Sequence, residues 1–307
     1  MGKIAVVGSN MVDLITYTDR MPGPGETIEA PRFEMGCGGK GANQAIAAAR
    51  LGAEVMMVTK VGDDAFADTT IRNLADAGID TRYVERVPGT SSGVAPIFVE
   101  PSGENSILII KGANARLSPA DVDRAADDLK GCDLIVMQLE VPLETVYHTI
   151  EFGARHGIET LLNPAPAPAD LDAKRIEQVT FLVPNQTELA TISGLAVTSE
   201  ADAEVAARAL IARGIRTVIV TLGARGALLV TAGEETRRIE PVRVTPVDTT
   251  GAGDAFIGSF ARYYVENHDL DAALRMAVRY AADSITRPGT QKSYATREAF
   301  EAFCAGL

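Results

Sequence analysis

Residues Val247 to Gly258, VDTTGAGDAFIG, bring three kinds of chemistry into one short stretch. Asp248, Thr249 and Thr250 supply oxygen donors, and Gly251, Ala252 and Gly253 form a run almost without side chains. Asp254 comes next, and Ala255, Phe256, Ile257, Phe260 and Ala261 then give the apolar spacing of a helix. A helix that starts on small residues leaves its first N–H groups bare, and about half a positive charge gathers there from the aligned peptide dipoles. Such an end is a ready anion site. Asp254 beside it has two readings of equal weight on this stretch alone: a base next to a bound anion, or a simple helix cap.

A second stretch, GCGGKGANQ (Gly36–Gln44), invites two familiar readings and fits neither. Lys40 is followed by Gly41, so the Ser or Thr of a phosphate-binding P-loop is missing. No acidic residue ends a second strand at the distance a dinucleotide fingerprint requires. What remains is a loop whose backbone approaches a small polar ligand closely, with Lys40 and Asn43 as donors. The alternative is a glycine-rich turn with a solvated lysine. Four glycines in six residues cost too much chain entropy for an ordinary turn, which favours binding.

The whole chain bounds what these stretches do. It has 307 residues and a net charge of −12, from 29 Lys plus Arg against 41 Asp plus Glu. That balance argues against a nucleic-acid-binding face, which needs clustered bases. Cys37, Cys132 and Cys304 are too few and too scattered for a disulfide framework or a zinc knuckle, and imply reduced thiols in a cytoplasmic protein. The first residues, KIAVVGS, read as a strand with no signal sequence, and no apolar run reaches membrane-spanning length. The only histidines, His148, His156 and His268, sit in polar, helix-like contexts, so a histidine triad or metal site is not expected.

The elements that must position the chemistry follow from periodicity. Ile4–Val7, Val55–Val58, Leu134–Met137, Glu159–Asn163, Phe181–Val183 and Thr217–Thr221 read as buried strands, with Ala227–Val230 and Thr236–Val244 as a further extended pair. Helices are predicted from Ala42 to Leu51, over Asp64–Ala77, Ser118–Leu129, Leu143–His156, from Glu188, over Ser199–Arg213, and through the C-terminal third at Ala252–Glu266, Leu270–Thr286 and Thr296–Phe303. Residues 11–35 and 93–112 differ: prolines, glycines and β-branched residues predict short exposed strands, the second pair turning at Pro101–Asn105. The expected fold is α/β, a doubly wound, mostly parallel sheet flanked by helices, with a small antiparallel β lid inserted in a single domain, 1–307. Polar residues recur at the carboxyl ends of its strands: Ser9–Asp13, Gln138–Glu140, Asn163, Asn185–Glu188, Thr221–Gly223 and Asp248–Asp254. Ligands collect at that edge of such sheets.

GGKGANQ at Gly38–Gln44, the N-x-x-E of Asn185–Glu188 and DTTGAGDAFIG at Asp248–Gly258, in this order, resemble the ribokinase (PfkB) family of sugar kinases from end to end. The wording of GSNMVDL, TSSGVAPIFV and QLEVPLETVYH is closest to ribokinases and 2-deoxyribokinases. The resemblance implies ATP as phosphoryl donor, Mg2+ with the nucleotide and K+ as a monovalent activator. It implies Asp254 as the base for the sugar's 5-hydroxyl, and Gly251, Ala252 and Gly253 as the anion hole. Met11, Asp13, Gly39, Lys40, Gly41, Asn43 and Glu140 would line the sugar. Asn185, Thr221, Gly223, Arg225, Gly226 and Gly253 would lie along the nucleotide, with Glu188 near the magnesium. The potassium positions would be Asp248, Thr250, Ser284, Arg287, Gly289 and Ser293, several through carbonyls. A homodimer through the lid is implied as well.

One position departs from that pattern. Many ribokinases carry Asn two residues before the sugar-binding Asp, where this chain has Met11 and its Asn is shifted to Asn10. A thioether donates no hydrogen bond, so the expected substrate is D-ribose and/or 2-deoxy-D-ribose, with a lean toward the 2-deoxy sugar. The alternative is that Met11 packs against the lid and ribose binds through the remaining donors. The competing readings are a kinase of the same family acting on another sugar or a nucleoside, and a non-catalytic sugar-binding regulator.

Overall fold

The computed structural model describes residues 2–101 and 105–307, so Ser102, Gly103 and Glu104 at the tip of the expected hairpin lie outside it. Strand β1 (Lys3–Val7) is the apolar run KIAVV, buried on both faces. The chain leaves the body as β2 (Met11–Tyr17) and β3 (Arg32–Gly38), then returns through α1 (Lys40–Arg50), β4 (Glu54–Val61), α2 (Ala65–Asp76) and β5 (Asp80–Arg86). It leaves again as β6 (Val94–Val99) and β7 (Asn105–Ile107). Helices α3 (Pro119–Arg124) and α4 (Ala126–Leu129) lead to β8 (Leu134–Met137), α5 (Leu143–His156), β9 (Glu159–Leu162) and β10 (Phe181–Leu182). Then come α6 (Gln186–Ser193), α7 (Glu200–Ile211), β11 (Thr217–Thr221) and the antiparallel pair β12 (Ala227–Thr231) and β13 (Arg237–Ile239). Helices α8 (Ala252–Asn267), α9 (Leu270–Ser284) and α10 (Arg297–Ala305) close the chain.

The main sheet has nine strands in the order β13-β12-β11-β10-β9-β8-β1-β4-β5, parallel from β11 through β5. Alternate residues feed two separate cores: Ile4 and Val6 face α1, α8 and α9, while Ala5 and Val7 face α5, α6 and α7. From β1 the strand order runs one way through β4 and β5 and the other way through β8 to β11. The reversal lies between β1 and β8, and a doubly wound sheet opens a crevice there, outside the strand ends. No helix of the described residues is long and apolar enough to cross a membrane.

Three expectations need correction. Strand β5 was not anticipated, because DTRYVER has no apolar run; it is the sheet's edge, where one polar face stays exposed. The helix expected over Ser118–Leu129 is two, separated at Ala125, where the backbone sits at φ −89 and ψ 0. The lid, ordered β3-β2-β6-β7, is not wholly antiparallel: β2 and β6 pair in parallel, register Val12 with Val94 to Tyr17 with Val99. Both strands leave the main sheet in the same direction, so they can meet only side by side. Extended chain also runs further than expected, since β3 continues to Gly38.

Helices α1 and α8 lie against each other more closely than ordinary side chains permit. A Cβ added to Gly258 would stand 2.5 Å from both Ala47 Cβ and the Gln44 carbonyl. Gly258→Leu is therefore expected to push the two helices apart and destabilise the protein by about 1–3 kcal/mol. A denaturation midpoint unchanged from the parent would contradict this packing account.

Candidate active site

Two helix N-termini converge on the crevice between β1 and β8, and they are treated differently. Helix α1 begins at Gly39, which has φ 85 and offers no side-chain cap. Its orphan N–H groups are instead satisfied from the strand ends. Lys40 N donates to Glu140 Oε2 (2.9 Å), Gly41 N to Ser9 Oγ (3.2 Å) and Ala42 N to the Ser9 carbonyl (2.8 Å). Ser9 Oγ in turn donates to Glu140 Oε2 at 2.6 Å, tying the end of β1 to the residues after β8 across the strand reversal.

Helix α8 keeps its end open. Gly251, at φ 76, has no side-chain cap, and the Ala252 N–H reaches only the Thr249 carbonyl at 3.3 Å. Among the described residues the N–H groups of Gly253 and Asp254 find no partner. A Cβ on Gly253 would meet nothing within 4 Å, whereas one on Gly251 would strike Thr290 and the Tyr294 hydroxyl. The open end faces a cavity of about 230 Å³, with Lys40, Asn185, Glu188, Thr221, Thr249 and Asp254 in its walls. Unpaired N–H groups at a helix start, beside one lysine, form an anion site.

Asp254 is 6 % exposed, and both of its oxygens are taken: Oδ2 accepts from Asn43 Nδ2 and Oδ1 from Gln44 Nε2, each at 2.9 Å. Carboxylates crowd this place. Asp13 is pushed up from 3.8 to about 7 by burial, with the charges of Glu140 and Asp254 adding to it. The negative charge of Asp254 raises Lys40, against the opposing effect of burial. Burial also raises Glu188, opposed by its bond from Asn185 N. An anion site ringed by acids needs its lysine, and Lys40 is held charged by those same acids.

The remaining expected positions fall as follows. Pleating puts Met11 and Asp13 on one face of β2, the face that also carries Gly36 and Gly38 of β3. Asn10 points elsewhere, donating to Thr59 Oγ1 (2.8 Å) and the Lys60 carbonyl (2.7 Å). Asn185 and Glu188 form a reciprocal capping box on α6, and the Thr221 N–H reaches the Pro184 carbonyl, so the ends of β10 and β11 meet in one wall. Gly223 and Gly226 have φ 59 and 86, and a Cβ on Gly226 would strike the Ile239 carbonyl; Arg225 bonds Gln186 and lies outside the cavity wall. Asp248 accepts from Thr250 N (2.9 Å) and Gly289 N (2.8 Å), bonds that hold it below its usual value although burial works the other way. The hydroxyls of Ser284 and Ser293 donate to carbonyls three residues earlier, and Arg287 bonds Asp283 and the Ser293 carbonyl.

Sequence reasoning met Gln138 and Asn163 only as polar residues at strand ends and Gln44 only as the last letter of GGKGANQ, and it passed over Gln291 and Tyr294. Gln291 Nε2 donates to Asn43 Oδ1 (2.9 Å), and the Tyr294 hydroxyl donates to the Gly251 carbonyl (2.9 Å).

Because the native state holds the Asp13 proton more tightly than the unfolded chain, Asp13 costs stability as pH rises from about 4 to about 7. The penalty is complete above pH 7 and absent below pH 4. Asp13→Asn is expected to be more stable than the parent at pH 8, with the gap closing by pH 4. Denaturant midpoints at the two pH values check this, and a pH-independent gap would contradict it.

The family described as pfkB family carbohydrate kinase matches residues 1–297. The chain is 60% identical to deoxyribokinase of Salmonella typhi over 300 residues, 98% of either chain. It is 40% identical to ribokinase of Bacillus subtilis over 301 residues, 98% of this chain and 99% of the other. The solved ribokinase of Arabidopsis thaliana, complexed with ribose and ATP, superposes with a TM-score of 0.93 at 28% identity, covering 99% of each chain. With a family match over nearly its whole length, the chain belongs to the pfkB family of carbohydrate kinases.

Proposed function

We propose that this protein transfers the γ-phosphoryl group of ATP to the 5-hydroxyl of a pentose, with 2-deoxy-D-ribose preferred over D-ribose. The observation that carries the reading is a buried carboxylate, Asp254, beside a helix N-terminus whose N–H groups are left open to a cavity. The sugar lies against Met11, Asp13, Gly39, Lys40, Gly41, Asn43 and Glu140. The phosphates lie between α8 and the wall that carries Asn185 and Thr221, and the nucleotide continues along the Gly223–Gly226 turn that follows β11. As the 5-oxygen attacks phosphorus and the bond to ADP breaks, Asp254 accepts the hydroxyl proton. Charge that develops on the phosphoryl oxygens is met by the backbone N–H groups of the Gly251–Asp254 turn, of which those of Gly253 and Asp254 are unbonded among the described residues, and by Lys40. These dipoles are already in place, which is what phosphoryl transfer demands. A regulator that only bound sugar would have no use for a base beside an anion hole.

Among the described residues no three His, Cys, Asp or Glu side chains converge as a metal cage. Magnesium bound mainly by nucleotide phosphates needs only one or two carboxylates, and Glu188 in the cavity wall suits that role. Bound there, Mg2+ would neutralise phosphate charge. For K+ the fitting donors are the Asp248 carboxylate and the loop carbonyls of Thr250 and residues 284–293, all hard oxygens; the Ser284 and Ser293 hydroxyls and Arg287 are bonded within that loop. A homodimer would cover the outer lid face, where Phe33, Met35, Leu108 and Ile110 are exposed. Free cysteines throughout fit a cytoplasmic location.

The substrate preference rests on Met11, 2 % exposed and on the Asp13 face of β2, with the Asn10 amide bonded on the other side. A 2-hydroxyl meets no donor there, and its absence strands no polar group. In Met11→Asn the ratio of kcat/KM for ribose to that for 2-deoxyribose is expected to rise roughly 3- to 10-fold, the worth of one hydrogen bond. Running the parent across a sugar panel with and without potassium checks substrate and cation together, and a strong parental preference for ribose would sink the Met11 account.

Asp254→Asn keeps the shape and loses the proton acceptor. It is expected to bind sugar and ATP nearly normally and to turn over at least about a hundredfold more slowly, within the range of about 100- to 10,000-fold for a positioned base. Near-normal ADP release by this variant would remove Asp254 from its role.

A further inference from the structure

Helix α1 sends two consecutive side chains to the same carboxylate. Asn43 Nδ2 reaches Asp254 Oδ2 and Gln44 Nε2 reaches Oδ1, one amide donor for each oxygen. Neighbours on a helix point about 100° apart, so both reach one target only because α1 and α8 touch through Gly258 and Ala47. Both amides are buried, Asn43 at 6 % and Gln44 at 1 % exposure, and neither lines the cavity.

Every polar position of the Gln44 side chain is in use. Its second N–H goes to Asn163 Oδ1 at 3.2 Å, and its Oε1 accepts from Gln138 Nε2 at 2.6 Å. Gln138 is itself fully buried. A buried amide can turn end for end, and here its orientation is set by its partners. Gln138 donates to the oxygen end, so the N–H end must face Asp254 and Asn163. The chain Gln138–Gln44–Asp254 thus runs from the end of β8, through α1, to the first turn of α8. A polar chain like this in a core is expensive unless every member is satisfied; here Gln138 Oε1 has no partner, while Asn43 and Gln44 each commit one N–H to the carboxylate.

We propose that Gln44 is a positioning residue for Asp254, fixing the plane of its carboxylate so that one lone pair faces the sugar hydroxyl, with Gln138 setting the orientation of Gln44. This rests on Asp254 being the base. The terminal torsion of an Asp side chain is soft, and a donor on each oxygen stops it from turning. Displacement of a catalytic group by about 1 Å costs about 100-fold in rate, so loss of Gln44 acts on turnover through geometry, with no contact to sugar or nucleotide.

The test is a double-mutant cycle with Gln44→Met, which keeps length and volume and removes the amide. Alone, it is expected to lower kcat about 10- to 100-fold while KM for sugar and for ATP stays within about 3-fold. In an Asp254→Asn background it is expected to change the residual turnover little, since residues that act as a unit are not additive. Near-normal kcat for Gln44→Met overturns the proposal, as does the same fold loss in both backgrounds, the signature of a general structural defect. Should Gln44→Met fail to fold, Gln44→Asn carries the test: it keeps the amide but shortens the side chain by one methylene, withdrawing the donor from Asp254. That variant must show the same kcat loss and the same dependence on Asp254, and full activity in it overturns the proposal. Failure of Asp254→Asn to lose turnover would instead refute the base assignment on which the proposal stands.

Discussion

The site depends on one asymmetry between two helix ends. Both α1 and α8 aim positive N-termini at the crevice where the strand order reverses. The end of α1 is saturated by Ser9 and Glu140, while Gly253 and Asp254 at the end of α8 have N–H groups with no protein partner among the described residues. An unsatisfied helix end is costly unless water or a ligand meets it. Saturating one end makes it a rigid support, and leaving the other open makes it a receptor. Glu140 serves both ends of this arrangement, since its Oε2 caps α1 while its charge joins the cluster around Asp13.

That cluster explains why Lys40 sits where it does. Asp13, Glu140, Glu188 and Asp254 would repel one another and any phosphate, and Lys40 is the cation whose charged form Asp254, Glu140 and Glu188 reinforce. Asp13 is raised chiefly by its burial and further by the charges of Glu140 and Asp254. Sites that must grip polar ligands commonly carry such strain, and stability is lost where function needs it. Sugar hydroxyls that donate to Asp13 and Glu140 would relieve part of the repulsion, so binding and relief of strain are the same event.

Much of this was legible in the chain, for identifiable reasons. Leu134–Met137, Leu143–His156 and Thr217–Thr221 fall where periodicity put them, because each is an apolar run or stripe bounded by clear turn residues. The open end of α8 was legible too, since Gly251-Ala252-Gly253 can offer little besides backbone. The edge strand β5 was hidden by its polar composition, and the parallel pairing of β2 with β6 by the fact that a strand's sequence does not name its partner. The network behind Asp254 was hidden for a different reason. Gln44, Gln138, Asn163 and Gln291 are scattered along the chain, and a lone Gln reads as surface until packing shows it buried.

The lid illustrates how one strand serves two partners. Alternation places Met11 and Asp13 on the face of β2 assigned to the proposed sugar site, and Val12, Leu14 and Thr16 on the other. Register carries that second face across to Phe33 and Met35 on β3 and to Val94, Pro96 and Phe98 on β6, with Leu108 and Ile110 continuing it beyond β7. A slip of one residue in the β2 register would exchange the faces, carrying Asp13 out to solvent and Leu14 in toward the sugar. The exposed apolar face is therefore tied to the polar one. A sheet that offers Asp13 inward must present Phe33 and Met35 outward, and covering them with a second copy would also hold the lid strands in the register that the sugar site requires.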